Sequence, residues 1–231
     1  MQVIRIGFLL YPGLTQLDLT GPAQVLARMP GAELHFVAKT LEAVPTDCPL
    51  ALVPTATFES CPNLDIVCVP GGVTCTEPMA EAETLAWLRR QGGGARYVTS
   101  VCTGSLILAA AGLLTGYRAA CHWAWRDLLE LFGAEPVAER VVIDRNRITG
   151  GGVTAGIDFA FRLIAELQGR DVAEAVQLAL EYDPQPPSAG GVPERARPEV
   201  LAHVERLMAE RLSGRREAVA RIAAASGAGG P

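Results

Sequence analysis

Residues 97–105 read Tyr-Val-Thr-Ser-Val-Cys-Thr-Gly-Ser, a largely apolar run that leads into a helical pattern. The apolar part predicts a strand covered on both faces, and the residues after Cys102 predict the start of a helix. A strand that turns sharply into a helix presents the residue in the turn at the edge of the sheet. This stretch therefore predicts an α/β fold with Cys102 at its functional edge.

The alternation of strand and helix continues on both sides of this turn. Strand-like apolar runs lie at residues 3–10, 34–38, 64–69 and 97–101. Helical patterns lie at residues 16–28, 81–91, 105–113, 123–132, 153–168 and 171–180. This order predicts a mostly parallel central sheet between two layers of helices.

The composition changes after residue 183. Residues 184–193 are rich in proline and glycine, which is typical of a linker. Residues 198–212 have apolar side chains at helical spacing and predict one amphipathic helix that packs on the body or on a partner. The Ala/Gly-rich residues 223–231 predict a frayed end. We therefore predict a main domain of residues 1–183 and a tail of residues 184–231.

Composition excludes several classes of function. The 231 residues carry a net charge of −5, which argues against nucleic acid or an anionic membrane as the main partner. The six cysteines have neither Cys-x-x-Cys spacing nor a tight cluster with histidine, so we expect no metal site and reduced thiols. The first apolar run is too short for a secretory signal, and residues 97–114 fit strand, turn and helix better than a membrane span. We therefore expect a soluble cytoplasmic protein.

Cys102 is the candidate nucleophile. It lies at the start of a predicted helix, where the partial positive charge of the helix favours thiolate over thiol. We therefore expect an exposed cysteine with a lowered pKa. The alternative is a buried cysteine that acts as a small hydrophobic side chain.

Two further segments carry possible site residues. Gly71 and Gly72 follow a predicted strand, and their N–H groups together with that of Thr103 are suited to bind a developing negative charge. The alternative for the glycines is a simple tight turn. Asp18 is an acid within an apolar helical pattern and a candidate proton donor and acceptor, but its spacing from Thr15 also fits a helix cap.

The three histidines supply no obvious base for Cys102. His122 lies near a predicted helix start and either approaches the site or satisfies the helix end. His35 falls within a predicted strand, and His203 falls in the tail helix. We expect structural or surface roles for these two.

Several segments together carry a family resemblance. They are the first strand and helix through Asp18, Val-Pro-Gly-Gly at 69–72, Val-Cys-Thr-Gly-Ser at 101–105, Ala-Gly-Leu-Leu-Thr-Gly at 111–116, Cys-His-Trp at 121–123 and Thr-Gly-Gly-Gly-Val-Thr-Ala-Gly-Ile-Asp-Phe at 149–159. Over residues 2–182 the chain resembles the ThiJ/PfpI branch of the class I glutamine-amidotransferase-like superfamily. Within that branch, Leu-Asp-Leu-Thr-Gly-Pro and Val-Cys-Thr-Gly are most similar to the isonitrile hydratases.

The resemblance implies a flavodoxin-like three-layer sandwich that forms a homodimer and acts on a small molecule. It implies hydration of isonitriles to N-substituted formamides, with Cys102 as the nucleophile and Asp18 as its acid/base partner. Thr103 would orient water or substrate, and no cofactor is required because the electrophile lies in the substrate. Two alternatives remain: a non-catalytic small-molecule or redox sensor, and a glyoxalase- or hydrolase-like enzyme that acts on reactive carbonyls.

The chain differs from other branches of the superfamily at the residues that those branches use for their own functions. Peptidases of the branch have histidine where this chain has Thr103, and glyoxalase-type relatives have glutamate in place of Asp18. Amidotransferases need a late His-x-Glu pair, whose only match here, His203 with Glu205, lies in the tail. Related transcription regulators carry two helix-turn-helix units, for which the residues after the linker are too few.

Overall fold

The structure is a computed structural model that describes residues 3–225 and 227. Its strands are β1 (Ile4–Leu9), β2 (Ala32–Ala38), β3 (Val44–Pro45), β4 (Ala51–Leu52), β5 (Ala56–Thr57), β6 (Ile66–Val69), β7 (Tyr97–Val101), β8 (Arg118–Ala119), β9 (Glu135–Pro136), β10 (Val141–Asp144) and β11 (Arg147–Gly150). Its α-helices are α1 (Gln16–Leu26), α2 (Thr76–Ala80), α3 (Ala82–Gly94), α4 (Gly104–Ala110), α5 (Ala155–Gln168), α6 (Arg170–Ala179), α7 (Pro198–Arg211) and α8 (Arg215–Ala225). Residues Arg126–Phe132 and Pro193–Arg195 form 3₁₀ helices.

A seven-stranded sheet forms the centre of the molecule, in the order β10-β11-β7-β6-β1-β2-β5. All neighbouring strands in it are parallel except β10 and β11. β1, β6 and β7 lie side by side, so their carboxyl ends meet at one edge of the sheet. Ligand sites of open α/β sheets form at this edge.

Helices cover both faces of the sheet. α1 and α5 pack against each other on one face, and α2, α3 and α4 pack together on the other. β6, an unbroken apolar strand, is buried along its whole length, as a strand between two helical layers should be. The predicted three-layer α/β sandwich with a mostly parallel sheet is confirmed.

The helix predicted over residues 123–132 is wrong in type. Residues Arg126–Phe132 form a 3₁₀ helix, in which the Leu128 N–H donates to the Trp125 carbonyl. An α-helix would have paired that N–H with the Ala124 carbonyl, which instead accepts a hydrogen bond from Arg216 of α8 at 3.0 Å. A contact from the far end of the chain therefore accompanies the tighter helical turn.

The tail is also more ordered than predicted. A second helix, α8, follows α7 after a turn in which Gly214 has a φ of 74°. α8 packs on α2 and on the 3₁₀ helix and buries Val219 and Ala223, so the predicted frayed end is wrong for residues 223–225. Residues 226 and 228–231 lie outside the described residues. α7, the predicted amphipathic helix, has no fully buried side chain among its residues.

Residues 97–114 contain β7, a turn and α4, as predicted, instead of one continuous helix. None of the helices within residues 3–225 is long and apolar enough to cross a membrane. All six cysteines are free thiols.

The docking of α8 predicts a position-specific effect of charge. Val219→Asp would bury an unpaired carboxylate and should lower the free energy of unfolding by about 3 kcal/mol. Ala220→Asp adds the same charge at the neighbouring exposed position and is the matched control. Chemical denaturation measures both variants, and equal stabilities would contradict the packing of α8 described here.

Candidate active site

Cys102 occupies a strained turn between β7 and α4. Its φ is 59°, in the left-handed region that side chains with a Cβ rarely adopt. Its N–H donates to the Gly150 carbonyl at 3.1 Å, which ties the turn to the end of β11. Such strain is typical of turns that hold a reactive side chain in place.

The turn packs directly on the end of β6. A Cβ added to Gly104 would lie 2.0 Å from the Val69 carbonyl oxygen, and one added to Gly71 would lie 2.5 Å from the Thr103 nitrogen. Both glycines are therefore required by close approach of two backbone segments. This contact brings the residues after β6 next to Cys102.

Asp18 reaches the same place from α1. The side chain is fully buried, and its Oδ2 accepts a hydrogen bond from the Gly71 N–H at 2.9 Å. Its Oδ1 is buried with no hydrogen-bond partner among the described residues. The capping alternative is wrong, because neither Thr15 nor Asp18 caps α1 with its side chain.

Burial sets the protonation of Asp18. Removal from water raises its pKa to about 7, although the Gly71 N–H and the neighbouring Cys102 thiol lower it in part. A carboxyl that ionises near neutrality suits both donation and acceptance of a proton. The interaction of Asp18 with Cys102 also indicates that the two side chains are neighbours.

The expectation of an exposed Cys102 with a lowered pKa is wrong. The residue is 5 % exposed, and burial, the Asp18 charge and Cys121 raise the pKa of the thiol well above its usual range. The N–H of Thr103 lowers it, as a helix N-terminus should, but this effect is smaller than the cost of burial. Asp18 therefore loses its proton first, and above about pH 7 Cys102 is a thiol beside a carboxylate.

The N–H groups of the two glycines already have partners. The Gly71 N–H donates to Asp18, and the Gly72 N–H donates to Thr103 Oγ1 at 2.8 Å. The Thr103 hydroxyl in turn donates to the Gly72 carbonyl at 2.9 Å. In this structure the N–H groups of Gly71 and Gly72 therefore join the site's own elements, and their binding of substrate charge stays a prediction. The Thr103 N–H faces the Cys102 sulfur.

His122 has a structural role here. Its Nδ1 accepts the Ala124 N–H at 3.3 Å, and its ring packs on Trp123 with centroids 5.6 Å apart. Burial lowers the pKa of His122, which favours the neutral ring that this acceptor role needs. His35 pairs with Glu33 in the sheet, 3.2 Å from its carboxylate.

The sequence reasoning missed Tyr11. Its ring is buried at the carboxyl end of β1, and its hydroxyl donates to the Pro70 carbonyl at 3.2 Å. Its position in the sequence could have indicated it, because Tyr11 follows strand β1 in the same way that Gly71 follows β6 and Cys102 follows β7. Among the residues described, no group of three or more His, Cys, Asp or Glu side chains is arranged to hold a metal ion.

Known proteins share both the sequence and the fold. Residues 4–166 match the DJ-1/PfpI family. The chain is 52 % identical to the isonitrile hydratase of Pseudomonas putida, over 96 % of this chain and 97 % of that one. It is 33 % identical to the transcriptional regulator GbdR of Pseudomonas aeruginosa, over 77 % of this chain and half of the regulator.

Solved structures agree with these matches. A ThiJ/PfpI family protein from Pseudomonas syringae has a TM-score of 0.90 and 47 % identity, covering 96 % of this chain and 91 % of its own. DJ-1β from Drosophila melanogaster, at 22 % identity and a TM-score of 0.73, shares the fold over 79 % of this chain. The cysteine turn, the glycine pair and the acid on the first helix all lie within the matched residues. The chain therefore belongs to the DJ-1/PfpI family.

Proposed function

We propose that this protein is an enzyme that hydrates isonitriles, R–N≡C, to N-substituted formamides. One observation carries the proposal. Asp18 Oδ2 accepts a hydrogen bond from Gly71, while Oδ1 has no partner among the described residues and is available to exchange a proton beside the Cys102 thiol. The full-length similarity to the Pseudomonas putida isonitrile hydratase supports the same reaction. The terminal carbon of an isonitrile accepts both a nucleophile and a proton, which this pair supplies.

In the first half of the reaction Asp18 acts as a base and then as an acid. Its carboxylate takes the proton of the Cys102 thiol as the sulfur attacks the terminal carbon. Asp18 then delivers this proton to the same carbon, which gives a thioimidate, R–N=CH–S, on Cys102. The Thr103 N–H, which faces the sulfur, stabilises its charge during attack.

In the second half water adds to the thioimidate carbon. Asp18, again a carboxylate, removes a proton from the water and passes it to the substrate nitrogen. The tetrahedral species then collapses to R–NH–CHO as the carbon–sulfur bond breaks and the sulfur recovers a proton from the new hydroxyl. Gly71, Gly72 and Thr103 contribute by fixing the carboxyl and the turn.

The reaction is distinguished from the two alternatives by its chemistry. A peroxide sensor reacts through a thiolate, and burial beside Asp18 disfavours that form of Cys102. A glyoxalase would convert methylglyoxal to lactate.

We further propose that the enzyme works in the cytoplasm and forms a homodimer. Gel filtration with light scattering tests the oligomeric state.

The proposed function predicts a product. Purified protein mixed with cyclohexyl isocyanide should release N-cyclohexylformamide with multiple turnovers, followed by infrared loss of the isonitrile band and by mass spectrometry. Lactate from methylglyoxal without any formamide would instead favour the carbonyl-directed alternative.

Removal of the thiol should abolish turnover. Cys102→Ala leaves no atom to form the thioimidate, so formamide release should fall to the uncatalysed rate. Cys61→Ala, which removes a half-buried thiol near Gln91, is the control and should retain wild-type activity. In rapid-quench experiments the wild-type chain should gain the mass of one substrate molecule. Activity in Cys102→Ala would exclude the covalent step.

Removal of the acid/base group should cost about 100-fold or more in kcat/KM. Asp18→Asn retains an oxygen to accept the Gly71 N–H but cannot carry the proton. Asp47→Asn is the control and should retain wild-type kcat/KM at a pH well above 7, because Asp47 interacts with Asp18 and its Oδ1 accepts the Gln16 N–H, a bond that asparagine can also make. A loss of only a few-fold in Asp18→Asn would contradict the proton shuttle.

The pKa of Asp18 also predicts the pH dependence. Because the carboxylate is the active form and its pKa is raised to about 7, kcat/KM should be low in acid and rise with a midpoint near pH 7. The Asp47 charge raises the pKa of Asp18, so Asp47→Asn should move this midpoint to lower pH. A midpoint near pH 4, or one that moves the other way in Asp47→Asn, would contradict the assignment.

A further inference from the structure

The peptide group between Pro70 and Gly71 is hydrogen-bonded on both sides. Its carbonyl oxygen accepts the Tyr11 hydroxyl at 3.2 Å, and its N–H donates to Asp18 Oδ2 at 2.9 Å. Both hydrogen bonds are buried. Tyr11 and Asp18 therefore bind opposite ends of one rigid, planar unit.

We propose that Tyr11 is a positioning residue for the reaction, acting on Asp18 through the Pro70–Gly71 peptide. The inference rests on the proposed function and adds a residue to it. Tyr11 itself exchanges no proton with substrate. Its hydroxyl orients the Pro70–Gly71 peptide, and the N–H of that peptide orients the Asp18 carboxyl. Oδ1 of Asp18 is thereby directed towards Cys102.

The orientation of the Pro70–Gly71 peptide has to be fixed by a neighbouring group, because Gly71 has no side chain to restrict its backbone rotation. A Cβ at Gly71 would lie 2.5 Å from the Thr103 nitrogen and 2.9 Å from Asp18 Oδ2, so no side chain fits there. Glycine leaves its flanking peptides free to rotate. The buried Tyr11 hydroxyl limits that rotation by holding the carbonyl end.

The same bond strengthens the interaction with Asp18. Hydrogen bonds in a chain polarise one another, by about 10–30 % per bond. A carbonyl that accepts the Tyr11 hydroxyl makes the N–H on the same peptide a better donor to Asp18. Because the Gly71 N–H stabilises the ionised form of Asp18, loss of the hydroxyl should raise the pKa of that carboxyl.

Tyr11 is placed to serve as a permanent donor. Its ring lines a cavity of about 600 Å³ together with Leu10 and Phe58, while its hydroxyl donates to the Pro70 carbonyl. Burial and the nearby acidic groups raise the pKa of the phenol well above its usual range. The hydroxyl therefore keeps its proton across the pH range of the assay.

The surroundings of the pair contain other titratable groups. Asp18 is faced by Cys102 from the turn after β7, Asp47 from the β3–β4 hairpin and Cys68 from β6. Tyr11 is also faced by two groups at the start of α2, Cys75 and Glu77. Tyr11→Phe leaves all of these groups in place and changes no charge, so a shifted midpoint reports the lost hydroxyl.

The test compares Tyr11→Phe with Thr99→Val. Thr99 also donates a buried hydroxyl to a backbone carbonyl, that of Val67 at 2.8 Å, but lies within the sheet. Tyr11→Phe should lower kcat about 3- to 10-fold with KM little changed and move the midpoint of the pH profile upwards by about half a unit. Thr99→Val should leave the midpoint where it is in the wild-type chain.

A second readout separates this inference from the proposed function. The ionisation of Asp18 can also be followed without an isonitrile, through the infrared C=O band of its protonated carboxyl, taken as the difference between each chain and the same chain with Asp18→Asn. Its midpoint should rise in Tyr11→Phe, and should fall when 3-fluorotyrosine, a stronger donor, replaces Tyr11. Failure of the wild-type chain to hydrate isonitriles would overturn the proposed function alone. Unchanged midpoints in both Tyr11 variants, or an equal shift in Thr99→Val, would overturn the role of Tyr11.

Discussion

The site depends on the hydrogen bond from the Gly71 N–H to the buried carboxyl of Asp18. It joins α1 to the end of β6, and the close contact of Gly71 with Thr103 joins both to the cysteine turn. Without this donor a fully buried carboxylate would be far less favourable, because burial opposes its charge. One hydrogen bond therefore places Asp18 beside Cys102 and keeps its ionisation close to neutral pH.

This interaction is possible because the strand order brings three carboxyl ends together. β7, β6 and β1 are consecutive neighbours in the sheet, and Cys102, Gly71 and Tyr11 follow them at one edge. α1 begins shortly after β1 and carries Asp18 back over this edge. The chemistry is thus assembled from three regions of the chain, around residues 11–18, 71 and 102, which are far apart in sequence but adjacent by topology.

Local pattern was sufficient to predict the α/β fold, whereas the pairing of Asp18 with Cys102 came only from the family resemblance, because the spacing of Asp18 alone also fitted a helix cap. Continuous apolar runs identified β1, β6 and β7, and the cysteine turn followed from a strand that leads into small residues. The protonation of Cys102 could not be predicted, since the local effect of the helix N-terminus opposes a burial that arises from distant segments. For the same reason the free N–H groups expected at Gly71 and Gly72 are engaged, because their partners come from α1 and the next turn. The 3₁₀ helix is a further case, because the Ala124 carbonyl is bound by Arg216, which lies 92 positions later in the chain.

In this site Cys102 rests as a thiol beside Asp18, which ionises first. Thiolate absorbance near 240 nm, measured from pH 5 to 10 as the difference between the wild-type chain and Cys102→Ala, reads the state of this sulfur directly. We expect no thiolate from Cys102 at pH 7, and its appearance only above the pH range of an ordinary cysteine. A full equivalent of thiolate at pH 6 to 7 would contradict it.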